Sequence, residues 1–177
     1  GKLGLLGPTI PEEYGGAGVT TMDCAVVFEE LGHGPVPGPF FTSGVLSAQI
    51  VFEAGTQQQR TALLPRLCNG EMIVVPALTD KAAGWGPEAV ETRLSKTPNG
   101  YMMNGVKRFV FDAEAATDYL CAARTEEGKV VFLLVDAKSP GITVTPHIGF
   151  LVSVAEVRFD NVVVSTNNLL GSSGASW

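Results

Sequence analysis

The chain has 177 residues, 45% apolar and 17% charged, which is enough apolar material for a buried core and excludes an intrinsically disordered polypeptide. Its 12 basic and 18 acidic residues leave a net charge of -6, and the largest basic cluster is the pair Lys107-Arg108, so no nucleic-acid partner is expected. No apolar run approaches the roughly 20 residues that cross a bilayer, and Gly1-Lys2-Leu3-Gly4 lacks the form of a signal peptide. The expectation is a cytoplasmic protein without a membrane span. Cys24, Cys68 and Cys121 are odd in number and lie far apart among apolar neighbours, so they read as small buried hydrophobes.

In chain order, Thr20-Thr21-Met22-Asp23 supplies N-caps and an acidic first turn. Ala25, Val26, Phe28 and Leu31 then recur at near-helical spacing until Gly32, which predicts one amphipathic helix. Pro35, Pro37 and Pro39 alternate with Gly34 and Gly38, forbidding helix and predicting a rigid connector to Phe40. A second helix is predicted from about 42 to 53; Val45, Leu46, Ala48, Ile50, Val51 and Phe52 make it apolar nearly all round, as in a helix buried on several sides. Gly55 ends it. Thr56-Gln57-Gln58-Gln59 then has the form of a capping box, in which Thr56 caps the helix and Gln59 reaches back to its N–H. The third helix carries Pro65 well inside, so it is predicted to be short or kinked, and Gly70 closes it.

Just past Gly70 the apolar period changes from helical to stranded. Strands are predicted at 72–79, 89–96, 101–104, 106–111, 118–124, 130–136, 142–146, 154–159 and 162–164. Asn99-Gly100 and Asn104-Gly105 read as turns, Glu126-Glu127-Gly128 as a hairpin and Pro140-Gly141 as a type II turn. Short strands without intervening helices predict a small antiparallel barrel or sandwich. The expected fold class is α+β: a helical N-terminal domain over 1–71, a β-barrel domain over 72–171 and a tail over 172–177.

The residues restrict the chemistry. His33 and His147 have no partner at ligand spacing, and no metal site is expected. Glu12-Glu13 and Glu29-Glu30 are adjacent, so they diverge on a helix instead of sharing a proton. There is no phosphate-binding Walker sequence, no Gly-x-Ser-x-Gly and no strand-linked Gly-x-Gly-x-x-Gly. What remains is the stretch 77–86 and the strand 106–111. Thr79 offers a hydroxyl and an amide at a strand end, and Ala82, Ala83, Gly84 and Gly86 leave the next loop with little side-chain bulk. A polar planar ring would suit that backbone. An ordinary strand end followed by a flexible loop accounts for the same residues.

Along nearly its whole length the chain resembles the acyl-CoA dehydrogenase family. The likeness begins with Gly4-Leu5-Leu6 and Pro11-Glu12-Glu13-Tyr14-Gly15-Gly16-Ala17-Gly18, then Glu29-Glu30-Leu31-Gly32, Ala54-Gly55-Thr56 with Gln59, Leu64-Pro65-Arg66-Leu67 and Gly70-Glu71. It continues through Ala77-Leu78-Thr79-Asp80, Gly100-Tyr101, Asn104-Gly105-Val106-Lys107, Ala116-Thr117-Asp118, Ala123-Arg124 and Pro140-Gly141. Glu156-Val157-Arg158-Phe159-Asp160-Asn161-Val162 and Asn168-Leu169-Leu170-Gly171 complete it. Each piece is weak alone, but their joint order is specific.

The resemblance implies a helical N-terminal domain and a β-barrel middle domain, with a C-terminal four-helix domain absent from this chain. FAD would bind between the middle domain and that bundle, with an acyl-CoA against the flavin. The implied reaction is α,β-desaturation of the thioester, by proton abstraction and hydride transfer to flavin, with an electron-transfer flavoprotein as acceptor. The family's base comes from the bundle, so no catalytic residue is assigned here. A homo- or hetero-oligomer is implied for the full-length protein.

By position, Leu78 and Thr79 correspond to the pair that contacts the isoalloxazine edge, and Gly84 to the glycine of the Gly-Ser-Asp loop near pyrophosphate and substrate. Phe109, Val110 and Phe111 take the place of Trp-Ile-Thr/Ser, where the aromatic packs on the flavin and the hydroxyl bonds N5. Trp85 and Gly86 stand where Ser and Asp are usual, which places Trp85 beside the substrate. Phe111 carries no hydroxyl. Two expectations follow: a fragment, inactive by itself, of an FAD-dependent dehydrogenase, or of a flavin-poor, non-catalytic partner subunit in a hetero-oligomer.

Overall fold

The computed structural model describes residues 4–34, 36–80, 84, 86–147 and 153–171. Helix α1, Thr21–His33, starts on a reciprocal cap: the Thr20 hydroxyl accepts from the Asp23 N–H at 3.2 Å, and the Asp23 carboxylate accepts from the Thr20 N–H at 2.9 Å. It runs through Gly32 to His33, because one glycine costs a helix only about 1 kcal/mol and the extended Gly34 follows as its stop. Cys24 is the one fully buried side chain of α1; Met22 and Val26 stand in solvent.

The second predicted helix forms in two parts. Thr42–Ser47 is a wide π-helical segment that passes into α2, Ala48–Ala54. Bonds leaving the segment accompany the wider winding: the Gly44 carbonyl accepts from the Gly7 N–H at 3.0 Å, and the Ser43 hydroxyl accepts from the Val74 N–H at 3.0 Å. Helix α3, Gln57–Cys68, opens on the predicted capping box and accommodates Pro65 three residues before its last. Gln59 also joins the helices to the sheet. Its Nε2 donates to the Leu169 carbonyl at 2.6 Å, and its Oε1 accepts from the Gly171 N–H at 3.0 Å.

Seven strands form one curled, half-closed sheet: β1 Val74–Ala77, β2 Arg93–Thr97, β3 Gly100–Phe111, β4 Asp118–Thr125, β5 Val130–Asp136, β6 Ile142–His147 and β7 Val154–Val164. The α+β architecture is as expected, but the sheet is mixed, not purely antiparallel. Strand β4 pairs with β5 antiparallel, and on its other edge runs parallel first to β1 and then to β2. Between the register pairs Ala77↔Cys121 and Arg93↔Arg124, β4 advances only from 121 to 124 while its neighbour advances from 77 to 93. The surplus chain must leave the sheet there.

Both β3 and β7 are single strands where two each were predicted. Asn104-Gly105 is a bulge instead of a turn, with the register shifting between Met103 and Gly105. Asn104 Oδ1 accepts from the N–H of Asn161, which has φ +54° on the opposing strand. A Cβ on Gly105 would lie 2.8 Å from Thr92 Cα, so this crossing requires glycine. Strand β1 is shorter than predicted, since Leu78-Thr79-Asp80 leaves the ladder. Strand β2 starts later, because a single turn of 3₁₀ helix, Pro87–Ala89, precedes it.

Alternation along the strands divides the core. Val75, Tyr119, Cys121, Val131, Leu133 and Val135 point into the curl of the sheet with Leu94, Met103, Val110 and Phe159. Val74, Leu120 and Leu134 point the other way, against Ile10, Tyr14, Val51, Leu64 and Leu67 of the helical part. Helices thus cover the outer face of β1, β4 and β5, and explain why β4 and β5 are apolar on both faces. The three cysteines are buried and unpaired. No helix among the described residues is long and apolar enough to cross a membrane.

Candidate functional site at the end of β1

The extruded chain between β1 and β2 begins with Leu78 and Thr79, both half-buried, and Asp80, which is buried. Strand β3 holds this exit in place. The Arg108 N–H donates to the Thr79 carbonyl at 2.8 Å, and Lys107 Nζ donates to the Leu78 carbonyl at 3.3 Å. Among the described residues nothing engages the Thr79 N–H or its hydroxyl. A strand end with two unengaged donors beside a groove is equipped to receive a polar ring edge.

Lys107 is fully buried, and its ammonium lies 2.6 Å from Asp80 Oδ1. It also donates to the Ala122 carbonyl of β4 at 2.6 Å. Asp80 Oδ1 accepts from the Thr92 hydroxyl at 2.7 Å; Oδ2 accepts from the Thr92 N–H at 2.9 Å and from the Glu91 N–H. Burial pulls the Lys107 ammonium below the usual lysine value, and the adjacent Asp80 charge opposes that pull. Each proton of the ammonium and both carboxylate oxygens have partners, so neither group is free for proton transfer.

Leu78, Thr79, Asp80, Gly84, Gly86, Ala89 and Val90 line a cavity of about 100 Å³. Ligand pockets usually enclose about 300 Å³ or more, so this cavity by itself is too small for a molecule of cofactor size. Gly84 has φ +146°, and a Cβ there would press on Ala89 Cβ at 2.9 Å. Arg124 secures the far side by donating to the carbonyls of Pro87 at 2.6 Å, Val90 at 3.2 Å and Gly128 at 2.8 Å.

The end of β3 has an apolar rim of its own, outside the lining of that cavity. A second bulge follows Lys107, with Phe109 at φ +53°. Phe109 is 63% and Phe111 45% exposed, while Val110 between them is 1% exposed. Both rings are therefore available to a ligand, whereas the Val110 side chain belongs to the core and only its backbone could serve a site. Asp112 follows at φ +55° and accepts from the Thr42 hydroxyl at 2.7 Å, which ties the rim to the π-helical segment. There Phe28 and Phe41 meet edge to face, with ring centroids 5.6 Å apart.

Of the predicted site residues, Leu78, Thr79 and Gly84 line one cavity, and Phe109 and Phe111 are exposed on the strand whose Arg108 binds Thr79. Trp85 lies outside the described residues, as do Ala82 and Ala83. Sequence reasoning gave no role to Asp80, Lys107, Asp112 or Arg124. A signal existed for Lys107: a lysine in the core register of a strand demands a buried acid. His33 sits in solvent 3.5 Å from Glu30, and His147 is exposed on β6.

Residues 1–71 match the profile described as acyl-CoA dehydrogenase, N-terminal domain, and residues 76–162 match acyl-CoA dehydrogenase, middle domain. The chain is 29% identical to the acyl-CoA dehydrogenase FadE12 of Mycobacterium tuberculosis, covering 99% of this chain and 48% of that protein. Among solved structures it resembles a glutaryl-CoA dehydrogenase from Mycobacterium smegmatis in complex with FADH2, with a TM-score of 0.84 and 26% identity over 97% of this chain and 47% of that one. It also resembles a chain of the ChsE4–ChsE5 complex from Mycobacterium tuberculosis, with a TM-score of 0.81 and 26% identity over 97% of this chain and 46% of that one. The chain thus spans about half the length of these relatives.

Proposed function

The chain belongs to the acyl-CoA dehydrogenase family, and we propose that the protein it comes from desaturates an acyl-CoA thioester at α,β with FAD as its cofactor. The observation that carries this reading is the β1 strand end, where among the described residues nothing engages the Thr79 N–H or hydroxyl, and where the bonded Arg108 is followed by the exposed Phe109. Those groups suit a flat ring whose edge accepts hydrogen bonds and whose face is apolar. When bound, FAD would take up the β-hydrogen as hydride while a carboxylate removes the α-proton. Thr79 would donate to the ring edge, and Leu78 and Phe109 would shield its face from water. Gly84 and Gly86 would let the pyrophosphate or the acyl-CoA approach the backbone.

Asp80 cannot supply the base, since both its oxygens already accept hydrogen bonds in a buried site. We place the base in the remainder of the protein, together with the other wall of the cofactor site. The division into a helical domain over 1–71 and a β-barrel domain over 72–171 belongs to the same proposal, as do fatty-acid β-oxidation as the setting, a cytoplasmic location, an oligomeric full-length state and an electron-transfer flavoprotein as acceptor. Reduction of the purified full-length protein by an acyl-CoA tests the reading: a yellow protein bleached by the thioester is expected. A colourless protein that rejects added FAD would sink it.

A second reading, a flavin-poor and non-catalytic subunit paired with an active relative, is favoured by one observation. Phe111 presents a half-exposed ring where a hydroxyl would be expected next to the flavin. Losing one hydrogen bond to a charged acceptor costs about 1.5–3 kcal/mol, which would weaken cofactor tuning without necessarily abolishing binding. Co-purification of a colourless full-length protein with a flavin-bearing relative would support this second reading over the first.

A further inference from the structure

The proposed chemistry uses neither Lys107 nor Asp80, yet together they form a buried charged pair that links β1, β3, β4 and the approach to β2. Such a pair contributes little to stability overall, because desolvating both charges offsets most of their attraction and apolar residues of similar volume often do as well. An apolar pair could not grip backbone. Lys107 holds the carbonyls of Leu78 and Ala122, and Asp80 holds the N–H groups of Glu91 and Thr92. The Arg108 N–H holds the carbonyl between them, that of Thr79. The carbonyls of 78 and 79 and the carboxylate of 80 are thus held, while among the described residues nothing engages the N–H or the hydroxyl of Thr79.

We propose that Lys107 and Asp80 are positioning residues that fix the β1 strand end, so that the Thr79 N–H and hydroxyl keep one orientation toward the flavin ring. The role rests on the reading of Thr79 as a flavin contact. The same carboxylate closes the neck of the chain between 80 and 91, with Arg124 anchoring Pro87 and Val90 inside it. Precise binding groups are held by buried, satisfied neighbours, since a loosely held donor loses its directional advantage.

The test uses the full-length protein, wild type beside the double variant Lys107→Met/Asp80→Asn, which removes both charges and leaves no orphan ion. Amide exchange of Thr92 and Arg108 should accelerate roughly tenfold or more in a folded variant, while Leu120 and Leu133 keep wild-type protection. FAD should dissociate roughly tenfold more readily, with its visible absorption bands displaced. Unchanged exchange at Thr92 and Arg108 would overturn the positioning role whether or not flavin binds. Faster exchange with unaltered FAD affinity and spectrum would overturn its bearing on the ring. A wild-type protein that takes up no FAD would overturn the flavin contact itself, and the exchange rates would then decide the fixing of the strand end alone. Should the double variant fail to fold, the wild-type protein is read on the same amides: protection of Thr92 and Arg108 comparable to that of Leu120 is expected, and fast exchange at both would overturn the positioning role.

Discussion

Two strand ends meet at the candidate site and are built in opposite ways. At the end of β1 the carbonyls of Leu78 and Thr79 and the carboxylate of Asp80 are bonded to Lys107, Arg108, Glu91 and Thr92, and among the described residues nothing engages the N–H or the hydroxyl of Thr79. At the end of β3, Phe109 and Phe111 are exposed on either side of the buried Val110, and Phe109 itself is left-handed. Hydrogen bonds are directional and must be aimed, so their donors sit on a braced backbone. Apolar faces are not directional, so a rim of exposed rings needs only to be placed. Precision at one end and adaptable area at the other is a division of labour suited to a flat, amphipathic ligand.

Breaking the braced end should have the largest effect. Lys107→Ala leaves the Asp80 charge buried without its counter-ion and should cost about 3–5 kcal/mol, read as a lower urea midpoint with little change in slope. At the other end the contrast should show within three residues. Val110→Ala removes core packing and should cost about 2 kcal/mol, whereas Phe111→Ala should change stability by less than about 0.5 kcal/mol. Equal losses at the two positions would mean that the rim is covered in the folded protein.

Alkaline pH probes β4, which supplies one of the carbonyls that hold Lys107. Burial pushes the Tyr119 hydroxyl and the Cys121 thiol up to about 12, and the Cys68 thiol up to about 11. The folded state therefore retains these protons longer than the unfolded chain, whose ordinary values are 9.0 for cysteine and 10.0 for tyrosine. Their contribution is complete below about pH 9 and is lost as pH rises through 11 and 12. The thermal midpoint should fall across that window, and less steeply in Cys121→Ala. One expected effect has the opposite sign. Phe109→Gly removes a side chain from a left-handed backbone and should stabilise the protein by roughly 1 kcal/mol, while removing the aromatic face and so weakening FAD binding.

Much of the fold was legible where local chemistry suffices. The cap at Thr20 and the capping box at Thr56 each form within four residues, and the spacing of apolar positions placed β4 and β5 at almost their observed limits. The resemblance pointed to Leu78-Thr79 and to Phe109 and Phe111; the structure puts the first pair just past β1 and leaves both rings exposed. Asn104-Gly105 was misread as a turn because the residues that permit a tight turn also permit a bulge, and only the opposing Asn161 decides between them. Helix α1 was read as amphipathic, but its sequence does not say how little of its apolar side is covered in the folded chain.

Composition, capping signals and apolar period by themselves determined that this chain is α+β, where helix gives way to strand, and which stretches are candidates for a ring-binding strand end. Those features are local, set by side chains acting on their own backbone. The tertiary structure alone decided that β1 and β2 run parallel to β4, so that the chain leaves the sheet after Ala77 and rejoins it at Arg93, and that Lys107 finds Asp80 across that gap. Pairing over such separations depends on which surfaces are buried together and which charges must then be matched, and that is a property of the packed chain.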